Sequence, residues 1–188
     1  MRQEKKFCCN ANRSFPNHND RVHFELLTLE TMQCGLNWRM VLRKRNVIGF
    51  CFDHFDFRKI AGYPAEKIEA ILRTEGMIKN SRKAKAVVTN AIQFLKIIEE
   101  FGSFDSYLWK FTEDTFAGDA SSSHKSRKPY TNSSSVRELS DRISRDLKKR
   151  GFQFTGPITV YSYLQACGII HDPGRVCFLD EVTRGFIT

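Results

Sequence analysis

Glu30 and Trp38 stand on either side of Gly35 in the run Leu29-Glu-Thr-Met-Gln-Cys-Gly-Leu-Asn-Trp38. A carboxylate and an indole brought together across a tight turn are the makings of a pocket for a nucleobase. A second set of residues points to a polyanion. In Ile71-Leu-Arg-Thr-Glu-Gly-Met-Ile-Lys-Asn-Ser-Arg-Lys-Ala-Lys85, Gly76 permits a positive-φ turn after one helix. The next helix then presents backbone amides at its N-terminus beside Lys79, Arg82 and Lys83. Such a hairpin grips a phosphate without reading sequence, although the second glycine of the commonest helix-hairpin-helix pattern is missing. A third stretch, Ser140 to Gly168, joins a basic helix that stops at Gly151 to a tight turn and an apolar helix. Together these features describe a DNA-handling scaffold.

The charge agrees with that partner. Thirty lysines and arginines against twenty-one acids give a formal charge of +9 and a pI near 9.4. Each cation set against a phosphate releases condensed counterions. No phosphate-binding loop, paired-carboxylate hydrolase pattern or nucleophile elbow supplies a competing chemistry. No run approaches the roughly 18 apolar residues of a membrane span, and Met1 to Lys6 leads into no apolar signal core. The expectation is a protein of the cytoplasm with no membrane partner. Its six cysteines, Cys8, Cys9, Cys34, Cys51, Cys167 and Cys177, lack a dense secreted spacing and are read as reduced thiols.

The elements that must position these residues are all helical. A chain of 188 residues suits one domain, here 19–178, with an irregular N-terminal arm at 1–18 and a tail at 179–188. Asp20 can accept the free amides of a first turn, after which Val22, Leu26 and Leu29, with Phe24 and Leu27 beside them, form a broad apolar face on a helix that Gly35 ends. A second helix is predicted from Asn37 to about Phe52, with Trp38, Val41, Leu42 and Ile48 inward. Pro64 opens a third that Gly76 closes. The pattern resumes over Arg82 to Phe101, Gly102 stops it, and Ser103 can cap the helix carrying Tyr107, Leu108 and Phe111. From Glu113 to Ser135 a polar, cationic loop intervenes. The last helices run from about Ser135 to Arg150 and from Pro157 to Cys167. No alternating pattern supports a sheet, so the fold class is all-α.

Beyond these readings, the chain resembles the bacterial DNA-3-methyladenine glycosylase I family. The resemblance is carried by Leu29-Glu30, Gln33 to Arg45, Phe55-Asp56, Gly76 to Asn80, Leu147 to Gly156 and Tyr161 to Gly168, in one consistent order over roughly His18 to Cys177. It implies a compact member of the helix-hairpin-helix glycosylase superfamily. Such an enzyme hydrolyses the N-glycosidic bond of 3-methyladenine after the nucleotide is flipped out of double-stranded DNA. It further implies that Glu30 and Trp38 bind the cationic base and that Gln33 and Leu36 approach the gap left in the duplex. The chain would act as a monomer associated with the nucleoid. Related chains also carry an N-terminal stretch with a pocket tyrosine and zinc ligands, where Phe7-Cys-Cys-Asn-Ala-Asn-Arg-Ser-Phe-Pro16 stands here. The family's C-terminal His-x3-Cys pair falls on Pro173 and Cys177, so only Cys177 transfers directly. A structural zinc rebuilt from Cys8 or Cys9, His171 and Cys177 is chemically reasonable. These departures leave open an alternative, a divergent DNA-binding or damage-sensing protein that kept the scaffold and lost excision.

Overall fold

Helix α1 (Asp20–Gln33) starts within a residue of its predicted position, but a different side chain caps it. Asn19 Oδ1 accepts the Arg21 amide at 2.9 Å, while Asp20 reaches across the molecule to accept the Phe104 and Asp105 amides at 3.0 and 3.3 Å. Asp20 thus caps the start of α7 (Phe104–Phe116) rather than its own helix, tying two distant N-termini together. This computed structural model describes residues 17–116 and 133–170. Its remaining helices are α2 (Trp38–Arg43), α3 (Arg45–Cys51), α4 (Phe57–Ile60), α5 (Ala65–Arg73), α6 (Ser81–Phe101), α8 (Ser133–Lys149) and α9 (Pro157–Ala166). The all-α expectation holds, with no strand among the described residues.

The long helix α6 is the axis on which the others assemble, packing against α1, α4, α5 and α7. Asn80 begins it by accepting the Lys83 amide at 3.1 Å, and Gly102, at φ +81°, ends it. Phe94 sits at its inner face with no exposure. Its ring stacks on Phe104 at 4.1 Å and meets Phe57 at 4.9 Å and the edge of Phe24 at 5.2 Å. Aromatic pairs of this geometry add about 0.5–1.5 kcal/mol each beyond the area they bury. The cluster therefore welds α1, α4 and α7 to α6.

Helices α8 and α9 form the other half of the core, joined by a connection that α6 also holds. Gly151, at φ +93°, lets the Phe152 amide turn back to the Leu147 carbonyl at 2.9 Å, satisfying an end group of α8. Asn90 on α6 then treats the connection as if it were a paired strand. Its Oδ1 accepts the Gln153 amide at 2.8 Å and its Nδ2 donates to the Gln153 carbonyl at 3.1 Å. Pro157 occupies the first turn of α9, where its missing amide hydrogen costs nothing.

One predicted element is corrected. The single helix expected from Asn37 to Phe52 is broken at Lys44, at φ −93° and ψ 0°, and finishes at Cys51. Tertiary contacts override the local periodicity there: the Lys44 ammonium donates to the Gly76 carbonyl of the hairpin, and Arg45 pairs with Glu25 of α1 at 2.6 Å. Beyond Cys51, Asp53, His54 and Phe55 all take positive φ. They are held by the buried Phe55 ring, by Tyr63 donating to Asp53, and by Arg21 Nε donating to the His54 carbonyl at 2.9 Å.

At the chain ends, the arm predicted at 1–18 contributes Asn17 and His18 to the described residues, and both are anchored. The Asn17 amide donates to the Cys167 carbonyl at 3.0 Å, and His18 Nδ1 lies 2.9 Å from Asp105. The tail at 179–188 and residues 117–132 of the predicted loop fall outside the described residues.

Candidate active site

The last turn of α1 carries Glu30 inward, among Leu27, Thr31 and the rest of that helix's buried face. Its side chain belongs to a residue only 5% exposed, and burial pushes the carboxyl up to about 8 from its ordinary 4.5. Desolvation is the cause, and among the described residues no cation offsets it. A buried, uncompensated acid is expensive to keep, and it has the electrostatic character expected of a receptor for a cation.

Four residues turn the chain from α1 into α2. The Leu36 amide donates to the Gln33 carbonyl at 2.6 Å, and Gln33 Nε2 donates to the Leu36 carbonyl at 3.0 Å. Gly35 supplies the positive φ of +73° that closes this loop on itself. Asn37 caps α2 by accepting the Arg39 amide at 2.9 Å, which places Trp38 at the first position of the helix, partly buried against the core. The two residues expected at the DNA gap, Gln33 and Leu36, are therefore the two that lock the turn. Leu36 packs partly onto the core, and the Gln33 amide is engaged with its carbonyl.

Lys83 is placed differently from the sequence expectation. Instead of facing a phosphate, its residue is 4% exposed, and its ammonium donates to the carbonyls of Met32 at 2.6 Å and Cys34 at 2.7 Å. Those carbonyls sit where α1 ends and lack helical partners, so a cation there also complements the helix dipole. Burial pulls the ammonium's pKa down. The sequence held a signal for this: Lys83 shares the spacing of Val87, Asn90, Phe94 and Ile97, the buried stripe of α6. The turn has a further anchor on α9, where Cys34 Sγ lies 3.3 Å from Thr159 Oγ1.

The other hairpin residues meet expectation in position. Gly76 takes φ +78°, Met77 and Ile78 bury themselves beneath the turn, and Lys79 and Arg82 remain exposed at the positive end of α6. Close by in sequence to Trp38, a concavity of about 440 Å³ is lined by Asn37, Arg39, Met40, Arg43 and Lys44, adding cations to the same end of the chain's charge pattern. Replacing Lys79 or Arg82 by Ala is expected to weaken binding to an unmodified duplex several-fold. Each loss should also reduce the slope of log K against log salt by about 0.9, one phosphate contact apiece. Fluorescence anisotropy titrations at a series of salt concentrations read this directly, and an unchanged slope would remove the hairpin from the interface.

A buried polar cluster escaped sequence reading. His23 has no exposure, its Nδ1 is 2.7 Å from the Tyr163 hydroxyl, and its Nε2 faces Asp105 at 3.6 Å. Asp105 also accepts from Trp109 Nε1 at 2.8 Å. This network joins α1, α7 and α9 near the start of α1. The proposed metal ligands Cys8, Cys9, His171 and Cys177 lie outside the described residues, and among the described residues no three His, Cys, Asp or Glu side chains gather to hold an ion. No helix of the described residues is long and apolar enough to cross a membrane.

Comparison with known proteins converges on one group. Residues 10–180 match the sequence pattern of the family described as methyladenine glycosylase. The chain is 33% identical over 163 residues to DNA-3-methyladenine glycosylase 1 of Escherichia coli K12, spanning 84% of this chain and 81% of that protein. It is 32% identical over 169 residues to the DNA-3-methyladenine glycosylase of Haemophilus influenzae, spanning 86% and 84%. Among solved structures, it is similar to 3-methyladenine DNA glycosylase I from Staphylococcus aureus, with a TM-score of 0.69 and 30% identity over 83% of this chain and 80% of that one. A variant of 3-methyladenine DNA glycosylase I solved in complex with 3-methyladenine gives 0.70 at 28% identity, over 86% and 83%.

Proposed function

We propose that this chain, which belongs to the methyladenine glycosylase family, is a base-excision repair glycosylase that releases 3-methyladenine from duplex DNA and works as a single subunit. The observation that supports the site is the buried carboxyl of Glu30, which no cation among the described residues offsets, one turn before the loop that leads to Trp38. A 3-methylated adenine still attached to deoxyribose is positively charged, whereas the undamaged bases around it are neutral. A desolvated carboxylate that accepts the exocyclic amine and an indole face that attracts the cation select for that difference.

The division of labour follows from the substrate. A cationic base is already a good leaving group, so no strong nucleophile is required. Water bonds to C1′ as the C1′–N9 bond breaks. The bonding pair passes to the departing base and neutralises it, and the proton of the water goes to solvent. What the protein must supply is the energy to unstack and hold the nucleotide, a few kcal/mol. Lys79 and Arg82 hold the backbone in this reading, and Gln33 and Leu36, closed into a rigid turn, face the space the base vacates.

A structural zinc is carried as part of the proposal only at the level of its candidate donors. Cys8 or Cys9 with His171 and Cys177 offers thiolate and imidazole ligands suited to tetrahedral zinc, and no step of the excision is assigned to it. Measuring metal content of the purified protein decides that point.

The deciding experiment is to incubate the purified chain with methylated duplex DNA and identify released bases by chromatography. Release of 3-methyladenine with the backbone left intact is the expected result. Tight, salt-sensitive duplex binding with no released base would instead establish a binding or damage-sensing protein on this scaffold.

A further inference from the structure

We propose that Lys83 is a positioning residue that couples the phosphate-gripping hairpin to the base-reading turn. This rests on the glycosylase reading above and assigns a part of the machinery to a side chain that touches neither base nor phosphate. Its backbone belongs to the first turn of α6, where its amide donates to Asn80 Oδ1 at 3.1 Å, one residue from the exposed Arg82. Its ammonium ends in the other element, 2.6 Å from the Met32 carbonyl and 2.7 Å from that of Cys34.

The Cys34 carbonyl belongs to the peptide that leads into Gly35, and Gly35 at φ +73° directs the chain toward Leu36 and Trp38. Fixing that carbonyl fixes the plane from which the turn departs. The Met32 carbonyl lies two residues beyond Glu30 on the same last turn of α1. One cation therefore sets the direction of the turn and the end of the helix that bears the carboxyl. The opposite side of the turn is held by Cys34 Sγ against Thr159 of α9. Without Lys83 the turn keeps one of these two anchors.

Packing alone does not call for a lysine at this position. Its neighbours on the stripe are Val87, Phe94 and Ile97, all without exposure. An unbranched apolar side chain would fill the same volume without the desolvation penalty of a buried ammonium. A cation is what two converging carbonyls require, and burial has lowered its pKa in the process. The arrangement costs stability and returns geometry.

The test uses the full chain with Lys83→Met and Lys83→Arg. Three quantities are compared at a temperature where circular dichroism shows every variant folded: affinity for an unmodified duplex, release of 3-methyladenine in single turnover at saturating protein, and exchange of the hydrogen-bonded amides of Cys34 and Leu36 without DNA. For Lys83→Met, duplex affinity should stay within about threefold of the parent while saturating release falls at least about tenfold. Exchange at Cys34 and Leu36 should speed up by at least about tenfold. Lys83→Arg, which can still donate to both carbonyls, should recover part of the release. Equal losses of duplex affinity and release would mark a merely structural residue, and parental release by Lys83→Met would end the proposal outright. A parent chain that releases no base defeats the functional reading, whereas unchanged exchange at the two amides defeats the positioning role, so the two failures are told apart.

Discussion

Glu30→Gln is expected to cut the release of 3-methyladenine at saturating protein by about 10- to 150-fold, the equivalent of one charge-assisted hydrogen bond of roughly 1.5–3 kcal/mol. The loss should appear in the limiting rate and not in the half-saturating concentration. In the function proposed above, duplex binding rests on backbone contacts of the hairpin, whereas capture of the flipped base is an equilibrium within the bound complex. The amide keeps the shape of the acid and can still accept a hydrogen bond, so what it removes is the negative charge.

The same substitution should leave a signature in pH that no structural defect would imitate. With the Glu30 carboxyl raised to about 8, most of the free protein holds the neutral acid at pH 7. Release by the parent should climb from about pH 6, pass its midpoint near pH 8 and level off above about pH 9 as the carboxylate form fills, and the Gln variant should lack this rise. Stability must run the other way. The folded state binds the proton more tightly than the unfolded chain, whose carboxyl titrates near 4.5. The benefit of the neutral acid is complete below that value and is lost as pH rises toward 8, at up to about 1.4 kcal/mol per pH unit. Urea denaturation at pH 5.5 and pH 8 should therefore show the parent weakening with pH and the Gln variant holding steady. A parent and variant with parallel stability profiles would mean that Glu30 is not buried as a free acid.

Trp38→Ala should lower saturating release by about 30-fold, the value of a desolvated cation–π contact of about 2 kcal/mol. Affinity for an unmodified duplex should change little, since the indole is not part of the cationic surface that meets phosphate. Trp38→Phe retains an aromatic face and should recover part of the rate. Because Trp38 is also packed partly on the core, the Ala variant is expected to melt a few degrees lower, and the comparison belongs at a temperature where both chains are folded. If the Ala variant releases base as fast as the parent, the indole is a packing residue and recognition rests elsewhere.

Most of the helices were legible because they are written locally, the short α4 (Phe57–Ile60) being the one the pattern passed over. Asn19, Asn37 and Asn80 cap three N-termini, and Gly102 and Gly151 stop two helices at positive φ. Apolar spacing then names the inward face of α6 without reference to anything else in the chain, whereas α1 also buries His23, Glu25, Thr28, Glu30 and Thr31, which spacing does not reveal. The turn at Gly35 was legible for the same reason, and with it the placement of Glu30 and Trp38 in the two helices that the turn joins. The break at Lys44 was not, because periodicity runs through it unbroken and only the Gly76 carbonyl and the Glu25 carboxylate, both distant in sequence, pull the chain out of line.

What the residue order settled by itself was the helical class, the ends of most helices and the turn at Gly35 that stands between Glu30 and Trp38. Propensity, capping and period act over a few residues, so they survive without knowledge of the fold. What only the folded molecule decided was the use of the long polar side chains. Asp20 caps a helix beginning 84 residues away, and Lys83 reaches carbonyls 51 and 49 residues behind it. A charged side chain near a helix terminus satisfies local rules equally well pointing to water or inward. The choice falls to whichever unpaired carbonyls and amides the other helices bring within reach.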